Sequence, residues 1–156
     1  MKTFSKHIQV NSPADKRIVQ FIQQHHIFTL AVAKNNFPYC ATCFYVYLEE
    51  DNMLVFTSDR DTRHIMDMET GDNNCVAGAI ALETSVVGKI RGIQFTGVMD
   101  ELKGERLRKA KKAYLHRFPI ARMTRLLLWG LTPDYIKLTD NRLGFGTKLI
   151  WKQGQG

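Results

Sequence analysis

Apolar positions along the chain change period twice, and each change predicts a different kind of element. Ala14, Ile18, Phe21 and Ile22 recur at the spacing of one helical face. Ser12 suits the cap of that helix, Pro13 its first position and Asp15 the positive end of its dipole. His25 and His26 follow at its predicted C-terminus, where an imidazole complements the dipole. From Ile27 to Leu102 the period shortens towards two. "IFTLAVAKNNFPYCATCFYVYLEEDNMLVFTS" predicts three strands joined at "KNN" and "EEDN", an antiparallel meander with Pro38 opening the second strand or lying on an edge. "RHIMDMET" predicts a short helix stopped by Gly71-Asp72-Asn73-Asn74, and "CVAGAIAL" another strand. "KIRGIQFTGVMDEL" predicts a long strand whose Gly92 and Gly97 mark either barrel curvature or the close approach of a ligand.

The helical period returns at Leu107, Ala110, Tyr114 and Phe118, and "DYIKLTDN" and "FGTKLIW" then supply two strands around "NRLGFG". Six or seven antiparallel strands with few helices favour a closed barrel over a sandwich, because closure removes exposed edges. The predicted class is therefore mainly β, with a few flanking helices. Without a repeat or a linker, residues 1–156 are expected to form a single domain with "KQGQG" as a loose tail.

Composition narrows the function classes. With 44% hydrophobic and 24% charged residues the chain has an ordinary globular balance, and no apolar run approaches the ~18 residues of a membrane helix. "MKTFSKHIQVNSPADK" lacks an apolar leader core, so a cytoplasmic location is expected. The net charge of +7 suggests nucleic acid, yet nine of the 22 Lys and Arg lie between Lys103 and Arg125, flanking the apolar stripe of one helix. A solvated helical face explains that cluster, so a nucleic-acid partner is not expected. Cys40 and Cys43 form a C-x-x-C, but in a strand residues three apart face opposite sides. No metal site is expected, since no further pair completes a ligand set.

The stretch "VFTSDRDTRHI", residues 55–65, concentrates the candidate chemistry. A strand ends in hydroxyls and a helix begins at once, presenting unpaired N–H groups beside Thr57, Ser58, Thr62 and the planar fork of Arg63. Arg60 is near enough in sequence to assist. An anion cradle and a plain helix start both fit, because Asp59 and Asp61 repel an anion if turned inward and Asp61 suits a cap. His64 fits a site or a helix surface equally.

Taken together, "FTS", the Thr-Arg helix start and "IRGIQFTG" resemble the flavin-binding split barrels of the pyridoxamine 5'-phosphate oxidase-like family. "YLHRFPIARM", "DYIKLTDNRLGFGTKLIW" and "TRH" resemble its YhbP-like branch, over nearly the whole chain. The resemblance implies a six-stranded antiparallel split β-barrel, a homodimer with FMN at the subunit interface, and an FMN-dependent oxidoreductase. The alternative from a different class is a non-catalytic module carrying flavin or haem. By the same resemblance Thr57 and Ser58 stand under the ribityl phosphate, and Thr62, Arg63 and His64 open the helix that receives it. Cys40, Ala41 and Thr42 line the ring, alternation deciding which of them face it. Gln94 makes a polar contact, and Trp129 and Lys148 approach from the partner subunit. Relatives commonly carry Lys where this chain has Asp61, which weakens the hold on a phosphorylated flavin. No Ser-His-Asp or Cys-His set stands out, so no catalytic residue is assigned.

Overall fold

A computed structural model describes residues 7–10, 15–71 and 73–154. Eight strands, β1 (His7–Val10), β2 (Ile27–Lys34), β3 (Phe37–Leu48), β4 (Met53–Thr57), β5 (Cys75–Ala81), β6 (Arg91–Glu101), β7 (Leu128–Asp140) and β8 (Lys148–Lys152), form one sheet. Its order is β1-β8-β7-β4-β3-β2-β5-β6, and an additional β6–β7 pairing closes six of the strands into a ring. Every pairing in that ring is antiparallel. The expected six-stranded antiparallel barrel is thus present. β8 and β1 extend it beyond β7, and β1 runs parallel to β8, a pairing that the sequence pattern did not predict.

Among the described residues three α-helices flank the ring. In α1 (Lys16–Gln24), Ile18, Phe21 and Ile22 are buried as the helical stripe requires. The cap is Asp15, whose side chain accepts from the Arg17 N–H, so the helix starts later than the Ser12 cap predicts. Ser12, Pro13 and Ala14 lie outside the described residues. Arg17 also chelates the Asp15 carboxylate, which holds that carboxyl below its usual value and reinforces the cap. At the other end the His25 ring sits 2.8 Å from the Phe21 carbonyl, the predicted imidazole at a helix C-terminus.

The core has two compartments because β3 alternates. Tyr45 and Tyr47 face the barrel interior with Phe28, Phe56, Phe95 and Trp129. Val46 faces outward, where α3 (Gly104–Arg117) seats Ala110 and Tyr114 over it and over Met53, Val55, Leu102 and Leu128. Gly97 resolves the two readings of the β6 glycines in favour of backbone shape. The register shifts between Thr96 and Gly97, and a Cβ on Gly97 would meet the Thr132 carbonyl at 2.3 Å. Glycine is required there by a close strand crossing at a bulge.

The ring is incomplete along one edge, and that gap positions the site. β2 pairs with β3 over Phe37–Phe44, whereas β4 pairs only with Tyr45–Leu48. On the β4 side, Phe37–Phe44 have no strand neighbour among the described residues. The chain leaves β4 at Thr57 and enters α2 (Arg63–Glu69), which plugs this end of the barrel with Ile65 and Met68.

Candidate functional site

The turn between β4 and α2 gathers its polar groups into one cluster. Thr57 ends β4, and its hydroxyl donates to the Leu127 carbonyl at 3.1 Å. Ser58 Oγ lies 2.7 Å from His64 Nε2 and 3.0 Å from Thr62 Oγ1. Thr62 occupies the N-cap position of α2, but its hydroxyl donates back to the Asp59 carbonyl at 2.8 Å and caps nothing. The cap position therefore falls one residue after Asp61.

Counting protons fixes the direction of this chain. Because Thr62 spends its only hydrogen on Asp59, it can only accept from Ser58. Ser58 then donates to Thr62 and accepts from His64, which must carry its proton on Nε2. The sequence of donors is His64, Ser58, Thr62 and the Asp59 carbonyl. His64 Nδ1 is left as an acceptor. Burial pushes the His64 imidazole below its ordinary value, so the ring is neutral at neutral pH.

Two neighbours hold the cluster in place. Trp129 donates its indole N–H to the Ser58 carbonyl at 2.9 Å and is 1% exposed. Its side chain is buried in its own core and serves its own turn. Arg63 lies 4.3 Å over the Tyr39 ring and 3.4 Å from Asp67, tying the start of α2 to the unpaired half of β3. Arg60 does not join the cluster. Its guanidinium is bound to Glu69 and Glu101 and lies over Trp129, so it cannot offset Asp61. Asp59 and Asp61 are exposed to solvent.

The other expected site residues are dispersed. Cys40 and Thr42 are exposed on the outer face of β3, while Ala41 is half-buried on the inner face that also carries Tyr39. Cys43 is buried and its thiol is pushed up to about 12, so the two cysteines do face opposite sides. Among the described residues no group of His, Cys, Asp and Glu could hold a metal ion. Gln94 is exposed on the outer face of β6, paired with Ala79 and Lys137. Lys148 begins β8 opposite Thr139, ten residues along β7 from Trp129. That is roughly 30 Å at strand rise, so one protomer cannot bring Lys148 to its own Ser58. Trp129 and Leu127 were missed as supports of the turn. Their only signal was the apolar run "RLLLWG", which carries no helical or strand period.

The donor set suits a phosphate monoester. Arg63 supplies a charged fork, the Ser58 hydroxyl could donate to a phosphate in place of Thr62, and the edge of β3 without a strand neighbour would offer backbone groups to a planar ring. No helix among the described residues is long and apolar enough to cross a membrane.

No family model matches the chain. It is 37% identical over 139 residues to a UPF0306 protein of Klebsiella pneumoniae (strain 342), covering 89% of this chain and 93% of that protein. The same figures hold for the UPF0306 protein YhbP of Escherichia coli O157:H7. Among solved structures, an FAD-binding protein of Mesorhizobium loti superposes with a TM-score of 0.64 at 16% identity, over 80% of this chain and 93% of that one. A heme binding protein of Mycobacterium smegmatis gives 0.70 at 15% identity, over 85% and 56% respectively. A Listeria innocua protein named for pyridoxamine 5'-phosphate oxidase gives 0.59 at 13% identity, over 79% and 93%. The chain belongs to the UPF0306 family, built on the split barrel of the pyridoxamine 5'-phosphate oxidase-like proteins.

Proposed function

We propose that this protein is an FMN-dependent oxidoreductase that works as a homodimer. The observation that carries the reading is the Ser58–Thr62–His64 cluster, set beside Arg63 and the open edge of β3. Flavin and haem binding among structures of the same fold supports it. Ser58 and Arg63 hold the phosphate, Thr62 fixes the turn through the Asp59 carbonyl, and Thr57 and Trp129 keep it in shape from behind. Bound FMN supplies hydride and single-electron transfer through its ring. His64, uncharged and oriented by Ser58, adds a polar group without a competing charge. The chain itself need only orient the ring and exclude water.

In this reading the dimer would form on the barrel's outer face. Thr29, Ala31, Cys40, Thr42, Ala77 and Ala79 are small and lie together there. A second copy seated on this face would offer Lys148 to its neighbour's flavin, which it does not reach within one chain.

The test is anaerobic reduction. Protein loaded with FMN is mixed with NADH or NADPH, and the expected result is loss of the flavin's visible absorption and its return on admitting air. A yellow protein that no reductant bleaches would instead be a carrier. Protein that takes haem and refuses FMN would overturn the reading.

A further inference from the structure

A recess lined by none of the Ser58 cluster's residues lies beside α3. It is a groove of about 1160 Å³ between the helix, the Pro119–Met123 turn that follows it, and the β3–β4 turn at Glu49–Asp51. Lys109, Lys112, Ala113 and His116 recur at helical spacing along one wall, and Arg122 closes it. Tyr47 and Leu48 form the other side and the floor, with Glu49 and Glu50 at the rim.

The charges in this groove are unequally occupied. Lys109 spans from Glu50 at 3.0 Å to Asp51 at 2.7 Å, so its charge is taken up there and offsets one of the two carboxylates. Glu49 accepts from the Gln23 amide at 3.0 Å. Lys112, His116 and Arg122 have no ion-pair partner among the described residues. Three exposed basic groups on a helix are ordinarily just solvated. These three, however, converge over an apolar floor of Leu48 and Ala113, both packed on the α3 compartment. The Tyr47 hydroxyl donates to Asn52 and so is already partnered. Two of the wall residues, His116 and Arg122, come from "YLHRFPIARM", which the flavin site does not use.

We infer that this groove binds a small organic phosphate with an apolar body, at a site separate from the flavin. Lys112 and Arg122 hold the phosphate, His116 donates to it, and Leu48 and Ala113 lie under the body. The open mouth means weak, rapidly reversible binding.

Phenyl phosphate is a suitable probe, followed by amide chemical shifts of the FMN-loaded protein. The expected result is saturable shifts confined to residues 47–50 and 109–122. Inorganic phosphate should bind about tenfold or more weakly, the value of burying a ring. Lys112→Ala with Arg122→Ala should weaken phenyl phosphate by about tenfold or more, through loss of charge-assisted hydrogen bonds, while leaving FMN affinity unchanged. Shifts at residues 57–64 in place of the groove would overturn the inference. So would wild-type protein that shows no saturation at millimolar probe, or the double variant binding as tightly as wild type. Because the mapping uses the wild-type chain, a poorly folded variant does not decide the outcome. Failure here leaves the flavin assignment standing, since that rests on FMN binding at Ser58.

Discussion

Pairing between Ser58 and His64 predicts a measurable coupling energy. The two atoms are 2.7 Å apart and half-buried, and Ser58 is also 3.0 Å from Thr62. Ser58→Ala deletes both contacts but leaves the Trp129 bond to its backbone carbonyl, so it should cost about 1–2 kcal/mol of stability at the usual worth of neutral hydrogen bonds. His64→Ala removes the same pair from the other side. Once either partner is gone, loss of the other should cost less, and the double variant should fall short of the sum by about 0.5–1.5 kcal/mol. Urea unfolding followed by tryptophan fluorescence reports on this region directly, because Trp129 is bonded to Ser58. At pH 8 the imidazole is neutral in both folded and unfolded chains, so titration does not enter. Single effects that add to within about 0.3 kcal/mol would refute the Ser58–His64 pairing.

Three further outcomes follow from the same geometry. Gly97→Ala places a Cβ 2.3 Å from the Thr132 carbonyl and 2.9 Å from Pro133 Cα, so it should cost about 1–3 kcal/mol or more, read as a lowered urea midpoint. His64 is held below its ordinary value of 6.5 by burial, so the unfolded chain takes up the proton first as pH falls. Stability from this source is full above that value and is lost as pH drops below it; His64→Gln should flatten part of the slope, His26, lowered by burial and then by Arg117, keeping the rest. Asp61→Lys reverses an exposed charge beside the start of α2 and should tighten FMN roughly two- to fivefold in a fluorescence titration, with riboflavin unchanged.

What the sequence disclosed follows from the range over which its signals act. Period-two alternation in "FPYCATCFYVYL" was enough to send Cys40 outward and Cys43 inward, because facing in a strand is decided locally. The turn residues of "KNN" and "EEDN" were legible for the same reason: Asn35, Asn36 and Asn52 adopt the positive φ that such turns need. The first half of β7 was not legible. Gly130 and Pro133 interrupt "LWGLTP", and only pairing with β4 and β6 makes it a strand. The burial of Trp129 was not legible either, since it is a property of the closed ring. Arg60 looked available because Glu101, one of its partners, lies 41 residues away. The basic helix was read correctly as a largely solvated face, and Arg106, Arg108 and Lys109 are indeed paired with nearby carboxylates. The groove beside it depends on a turn 60 residues earlier in the chain, which no local pattern reveals.

The central claim is that the β4–α2 turn holds a phosphate, and riboflavin differs from FMN only in lacking one. The decisive measurement is the ratio of riboflavin to FMN dissociation constants, by flavin fluorescence, for wild type and Arg63→Ala. Because Arg63 is 58% exposed and already shares Asp67, its removal should weaken FMN on the order of tenfold, the low end for a charge-assisted bond, and leave riboflavin nearly unchanged. An equal loss for both flavins, or a wild-type chain that does not prefer FMN, would contradict the account.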